Sequence, residues 1–363
     1  MNRLRTEKKS HQEKTVMIVA GIESSCDETA VSFVKDGRNV LSSLVSSQIS
    51  VHQPFGGVIP EIAAREHLKS VSYLWEQAMK QSGLCESDID LIAVTRGPGL
   101  AGALLVGVSF ARGLSISLDR PLIGVDHVHA HIHGALLGLP PDTDIAELFP
   151  AIALVVSGGH TNLYWMEDPV RFRLLASTLD DACGECLDKV ARMMDLGYPG
   201  GPVIEKMAEK GQRGRVSVPT MLPGKEYMAF SYSGLKTHMA RLWEKNQGFQ
   251  GQDLNDLILA FQDEAFGQIR RKTDLALEQL QKEDKYPRSV LVAGGVAANQ
   301  SFRNIMSGFG NGVRTWFPAL NYCSDNAAMI AALGCYEYQE LQRSGKSLPD
   351  DADWDIYPRY LYS

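Results

Sequence analysis

Positive charge is in short supply in this chain. Among 363 residues, 36 Lys and Arg face 43 Asp and Glu, for a formal net charge of −7. A protein that gripped phosphate backbones over a broad surface would be basic, so contact with nucleic acid needs a local patch or a partner protein. Cysteine is scarce as well. Cys26, Cys85, Cys183, Cys186, Cys323 and Cys335 are too few and too scattered for a disulfide framework, and a reduced, cytoplasmic setting is expected. Long apolar runs are missing: no stretch approaches the roughly 18 apolar residues of a membrane span, so no membrane partner is expected. Residues 1–15 are polar and basic and precede a short apolar run, but Glu23 interrupts that run and no small-residue cleavage pattern follows. They read as a disordered tail. Two nucleotide signatures fail: Gly97-Pro98-Gly99 has neither the Gly-x-Gly-x-x-Gly spacing nor the Lys-Ser/Thr of a P-loop. Ser157 lacks the Gly-x-Ser-x-Gly of a hydrolase elbow.

What is present is ample material for a core. Apolar residues make up 44% of a chain long enough for two domains. Residues 16–22 are a short β-branched run that stops at a polar turn, Glu23-Ser24-Ser25-Cys26-Asp27-Glu28, and resumes at 29–34. Residues 61–81 carry helical spacing, with Ile62, Leu68, Val71, Leu74 and Trp75 as the apolar stripe. A strand at 91–94, a glycine loop and an apolar helix at 100–117 follow, then a strand at 122–125. Prolines and acids at 140–150 mark a domain junction. Beyond it the layout repeats: strand 151–156, turn Ser157-Gly158-Gly159-His160, strand 161–165, and later strand 290–293, Gly294-Gly295 and a helix start. The expected fold is α/β, with duplicated domains at 16–140 and 151–345 around a central cleft and a tail at 346–363.

Four of the nine histidines fall within seven residues, in Asp126-His127-Val128-His129-Ala130-His131-Ile132-His133. On a helix His127 and His131 stand at i and i+4 and share a face, which suits one metal ion; His129 and His133 form a second pair pointing away from the first. A carboxylate is the usual third ligand. Asp325, Asp27 and Asp188 all qualify, and Asp325 before the helix at 327–334 also reads as a helix N-cap. The Ser157–His160 turn and Gly294-Gly295 offer backbone amides to an anion, although tight hairpins need glycine anyway. The acidic group Asp180, Asp181, Glu185 and Asp188 suits a helix N-terminus; its functional reading is a hydrogen bond to a ribose or amino-acid group. Cys183-x-x-Cys186 has no second cysteine pair, so two helix-facing thiols are expected.

These segments together resemble the TsaD family of tRNA N6-adenosine threonylcarbamoyltransferases, its bacterial branch, within the actin-like ATPase superfamily. The matching stretches include Gly21-Ile22-Glu23-Ser24-Ser25-Cys26-Asp27-Glu28-Thr29, Phe55-Gly56-Gly57-Val58-Ile59-Pro60-Glu61, Phe230-Ser231-Tyr232-Ser233-Gly234-Leu235-Lys236 and Cys323-Ser324-Asp325-Asn326, in order from about residue 20 to 335. The resemblance implies transfer of a threonylcarbamoyl group from threonylcarbamoyl-AMP to N6 of the tRNA adenosine beside the anticodon. It implies one iron or zinc ion on His127, His131 and Asp325, and an adenylate site at Val156, Ser157, Gly158, Gly159, His160, Asp188, Gly201 and Asn299. Asp27 or Glu28 is the expected acceptor of the amine proton. Implied partners are tRNA, a homologous TsaB-like subunit and a small TsaE-like ATPase. The chain departs from the family pattern at Asp126, often His there, and at His129, usually another residue. The other readings of the same cleft are an actin-like metabolite kinase and a non-catalytic scaffold. A metalloprotease lacks its general base, since no Glu follows His127.

Overall fold

The computed structural model describes residues 16–140, 142–245, 249–310, 312–348 and 355–358. The expected tail at 1–15 therefore lies outside the described residues, as do 349–354 and 359–363 of the second tail.

The first half runs β1 (Ile18–Glu23), β2 (Glu28–Lys35), β3 (Asn39–Ser47), α1 (Ile49–His52), α2 (Pro60–Ser82), β4 (Leu91–Gly97), α3 (Ala101–Leu118), β5 (Leu122–Asp126) and α4 (His127–Gly134). The second half runs β6 (Ala151–Val156), β7 (Thr161–Asp168), β8 (Arg171–Ser177), α5 (Cys183–Met193), α6 (Gly200–Ala208), α7 (Ser233–Lys245), α8 (Gly251–Lys282), β9 (Ser289–Ala293), α9 (Gln300–Met306), β10 (Arg314–Trp316) and α10 (Ala327–Arg343). The sheet orders are β3-β2-β1-β4-β5 and β10-β9-β6-β7-β8. In each, an antiparallel meander of three strands continues into two parallel strands reached by helical crossovers. The two halves are one topology written twice.

Apolar side chains occupy both faces of the central strands, as buried parallel strands require. In β1 and β4, Ala20, Ile22, Ile92 and Val94 face α2 and α3, while Val19, Leu91 and Ala93 face the opposite layer. In the second sheet Ile152, Leu154, Val290 and Val292 face the large core under α5 and α8, and Ala151, Ala153 and Leu291 face inward.

The inner layers are exchanged between the halves. Helix α10, placed with residues 151–345 by the sequence, packs on the first sheet through Ala328, Ile330, Ala331 and Cys335. Helix α4, which closes the first half, lays Val128 and Ile132 on the second sheet, and Leu136 just beyond its end joins them. A straight cut at the proline-rich junction therefore separates each sheet from one of its covering helices. The crossing is tight: a Cβ at Gly21 would sit 2.1 Å from the carbonyl oxygen of Ala327, so only glycine fits there.

Two sequence readings change. In α2 Val71, Leu74 and Trp75 are buried as expected, joined by Ala63, His67 and Ala78, whereas Ile62 is half-buried and Leu68 is exposed at the edge of the stripe. An apolar run of span length also exists: α3 covers 18 residues at mean hydropathy 1.6, enough to cross a membrane by length and composition. In the fold it packs on α2 and β4, burying Ala103, Leu104, Val108 and Ala111.

Candidate metal centre in the interdomain cleft

Both exchanged helices begin at the same place, and the candidate site lies there. Helix α4 opens under its own cap: the Asp126 carboxylate Oδ1 accepts the His129 N–H at 2.9 Å. One turn then brings His127 and His131 together, ring centroids 4.7 Å apart. Asp325 precedes α10, whose cap is its neighbour; Asn326 Oδ1 accepts the Met329 N–H at 3.0 Å. The cap reading of Asp325 thus gives way to Asn326, which leaves the Asp325 carboxylate facing the histidines. Its Oδ1 is 3.2 Å from His131 Nε2 and 3.7 Å from His127 Nε2. The ligand atoms of the three residues lie within 4.8 Å of one another. Asp27 and Asp188, the other two acids considered, are not in this group.

Several features fit these residues to a divalent ion. Buried His131 has no hydrogen-bond partner at Nδ1, and its Nε2 faces the Asp325 carboxylate. His127 Nδ1 lies 3.0 Å from Oε2 of Glu23 and 3.2 Å from Ser25 Oγ. Donation of the Nδ1 proton to Glu23 leaves Nε2 with its lone pair towards Asp325, the arrangement of a carboxylate-oriented metal histidine. Glu23 is fully buried, and its two oxygens also accept from Ser25 N–H and Thr95 Oγ1, both at 2.5 Å. Burial opposes the charge on His127, yet Glu23 and Asp325 raise its pKa to about 9, so an ion binding at Nε2 displaces a proton from it. Burial likewise opposes ionisation of Asp325, and His127 and His131 hold that carboxyl well below its usual range. Two imidazoles and a carboxylate are a donor set for zinc or iron.

The remaining predicted residues divide. His160 lies close enough to the cluster that, beyond burial, the charges of His127 and His131 push its pKa down to about 4. Its turn closes on itself: Ser157 N–H donates to His160 O at 2.8 Å and His160 N–H to Ser157 Oγ at 3.1 Å. Gly158 and Gly159 stand exposed, with nothing near where a side chain would be. The end of β6 at Val156 abuts Gly294. Asp188 reaches across to α6, accepting the Gly200 N–H at 2.7 Å, and Gly201 adds to its hydrogen bonding. Asn299 caps α9 through Phe302 N–H at 3.0 Å and donates to Gln262 at 3.2 Å, so its side chain is engaged within the fold. Burial, Asp325 and Asp27 push Glu28 up to about 9, so near neutral pH it holds its proton.

The acidic run before α5 has a mostly structural part. Asp180 accepts Tyr232 N–H at 2.7 Å and the hydroxyls of Ser231 and Ser233 at 2.6 Å, and Asp181 pairs with Lys189 and Lys236. These bonds fasten the segment before α7 to the second domain. Cys183 and Cys186 are buried free thiols, burial pushing Cys183 up to about 12. His129 stacks on Phe172 at 4.1 Å, and buried His133 packs beside Phe172 and Tyr336. The second histidine pair is therefore packing against the β8 side of the cleft. Sequence reasoning missed Glu23 as the partner of His127, although a lone acid ending a buried strand was the available signal.

Duplicated meander-and-crossover domains with a His–His–Asp cluster where they meet define a two-domain actin-like α/β enzyme. The model for TsaD, tRNA N6-adenosine threonylcarbamoyltransferase, matches residues 39–332, and the chain belongs to that family. The tRNA N6-adenosine threonylcarbamoyltransferase of Syntrophomonas wolfei is 44% identical over 323 residues, 88% of this chain and 92% of that one. Its counterpart in Pelobacter propionicus is 42% identical over 343 residues, 94% and 98% of the two chains. Among solved structures, T. kodakarensis HypF superposes with a TM-score of 0.53 at 14% identity, covering 89% of this chain and 48% of that one, a likeness of fold.

Proposed function

We propose that this chain transfers the threonylcarbamoyl group of threonylcarbamoyl-AMP to N6 of the tRNA adenosine beside the anticodon, assisted by one iron or zinc ion on His127, His131 and Asp325. The observation that carries the reading is the convergence of those three ligand atoms within 4.8 Å, in a member of this family. When bound, such an ion supplies Lewis-acid polarisation of a carbonyl or phosphoryl oxygen.

The chain's own residues do the rest. Glu23 fixes the tautomer and ring plane of His127. The Ser157–His160 turn, beside the cluster and open at Gly158 and Gly159, holds the adenylate phosphate on the amides of those two glycines. Asp188 orders the amide-rich start of α6 at Gly200 and Gly201 on the same side. The acid pair Asp27 and Glu28, at the turn between β1 and β2, accepts the proton of the attacking amine. An exocyclic amine is a weak nucleophile, so positioning supplies much of the rate.

An acidic chain needs help with tRNA, and the homologous TsaB-like subunit supplies it, together with a small TsaE-like ATPase in the cytoplasm. The face for the homologous subunit is the outer side of α2 and α3. Leu68, Tyr73, Leu105 and Ile116 stand exposed there on two adjacent helices.

Purified protein mixed with threonylcarbamoyl-AMP and unmodified tRNA, with and without the two partners, should yield the modified nucleoside by mass spectrometry. Its absence from every mixture overturns the transferase. Joint replacement His127→Ala and His131→Ala should remove stoichiometric metal; full retention overturns the metal site.

A further inference from the structure

The segment at 355–358 is not a loose tail. Tyr357 N–H donates to the carbonyl of Arg96 at 3.0 Å, and the carbonyl of Pro358 accepts Gly99 N–H at 3.2 Å. The Arg96 guanidinium lies over the Tyr357 ring, 5.3 Å from its centroid. Ile356 packs against the core beneath α2 and α3. Gly97, at φ 155°, is a glycine for the sake of this segment: a Cβ there would come within 2.2 Å of the Tyr357 carbonyl oxygen.

Two routes lead from this segment to the metal cluster, one to the start of α4 and one to the His127 ring. Along the first, Tyr357 Oη donates to Asp126 Oδ2 at 2.6 Å, while Oδ1 of that carboxylate holds the His129 N–H in the first turn of α4. One carboxylate thus ties the segment to the helix that bears His127 and His131. Along the second, Gly99 lies between the segment and Ser25. Leu100 N–H donates to the Ser25 carbonyl at 2.7 Å, and Ser25 Oγ is 3.2 Å from His127 Nδ1. The family model ends at residue 332, so this segment lies beyond the matched residues.

We infer that residues 355–358 are a positioning strap for the metal centre, with Tyr357 setting the start of α4 through Asp126. The inference rests on the metal reading of His127, His131 and Asp325. Tyr357 touches no ligand atom of that cluster; it acts by restraining the helix that presents two of them. Removing its hydroxyl takes one hydrogen bond from the capping carboxylate and lets the first turn of α4 relax, which weakens the hold on a bound ion without unfolding either domain.

The test is the rate at which zinc-loaded, full-length protein gives up its metal to excess chromophoric chelator. Tyr357→Phe keeps the ring over Arg96 and removes only the hydroxyl. It should speed release by about threefold to tenfold, less than the roughly 10–100-fold for direct partners of metal ligands, because Tyr357 acts on the helix and not on a ligand. The unfolding midpoint of the metal-free variant should stay at the wild-type value. Gly97→Ala, which displaces the strap by collision, should speed release as well. A Tyr357→Phe release rate equal to wild type overturns the strap while leaving the metal site standing, as does a fall in midpoint shared by the metal-free and zinc-loaded forms with no change in release. Wild-type protein that takes up neither zinc nor ferrous iron stoichiometrically overturns both.

Discussion

Asp325 and Asn326 are neighbours of nearly equal size with separate tasks, and the separation can be measured. Asn326 caps α10 through Met329 N–H, whereas Asp325 faces His131 and His127. Asn326→Ala should cost about 1 kcal/mol of stability, the usual loss of a helix cap, and leave the metal content unchanged. Asp325→Ala should remove stoichiometric metal. Denaturant titration beside metal analysis of the two proteins checks the pair, and metal loss with Asn326→Ala alone would refute the assignment. At this scale the sequence was half legible. The i, i+4 spacing of His127 and His131 is a local property of a helix and can be read directly. The third ligand comes from about 200 residues further along, and spacing carries no information about contacts across that distance. For the same reason Glu23 went unread, since its role depends on a histidine more than 100 residues away.

Elements were legible where their periodicity was local. Every core strand read from a β-branched run is present, because a strand buried on both faces leaves an unbroken apolar signature. What the pattern could not say is which sheet a helix covers. Helix α10 has apolar residues in plenty, and nothing in its composition distinguishes the sheet it follows from the one it packs on. It also carries an acid in an unusual place. Burial and the nearby Asp126 push Glu337 up to about 8 against an ordinary value of 4.5, with Arg96 opposing. The folded protein therefore holds this proton after the unfolded chain has released it. The stability linked to it is complete below pH 4.5 and falls as pH rises towards 8. Glu337→Gln should flatten that dependence, so the variant gains on wild type in urea midpoint at pH 8 relative to pH 5. Parallel midpoints for the two proteins across that range would contradict the shift.

For the whole molecule, the outer layer of α2 and α3 is the surface most open to test. Ile116 is 80% exposed on a helix whose inner face is committed to the sheet. Ile116→Glu should leave the isolated chain's stability within about 0.5 kcal/mol, as for an ordinary surface change. It should abolish co-purification of the homologous partner subunit. Unchanged co-purification would place the partner elsewhere.

The exchange of α4 and α10 also has a consequence for how the protein comes to exist. One face of the first sheet, with Val19, Leu91 and Ala93, is covered by α10, the last helix among the described residues. Roughly 200 residues separate the end of β5 from the start of α10, about ten to forty seconds of synthesis at ordinary ribosomal speed. Throughout that interval the newborn amino-terminal half stands bare on one side, and the ribosome must reach α10 before the first-made sheet is dry.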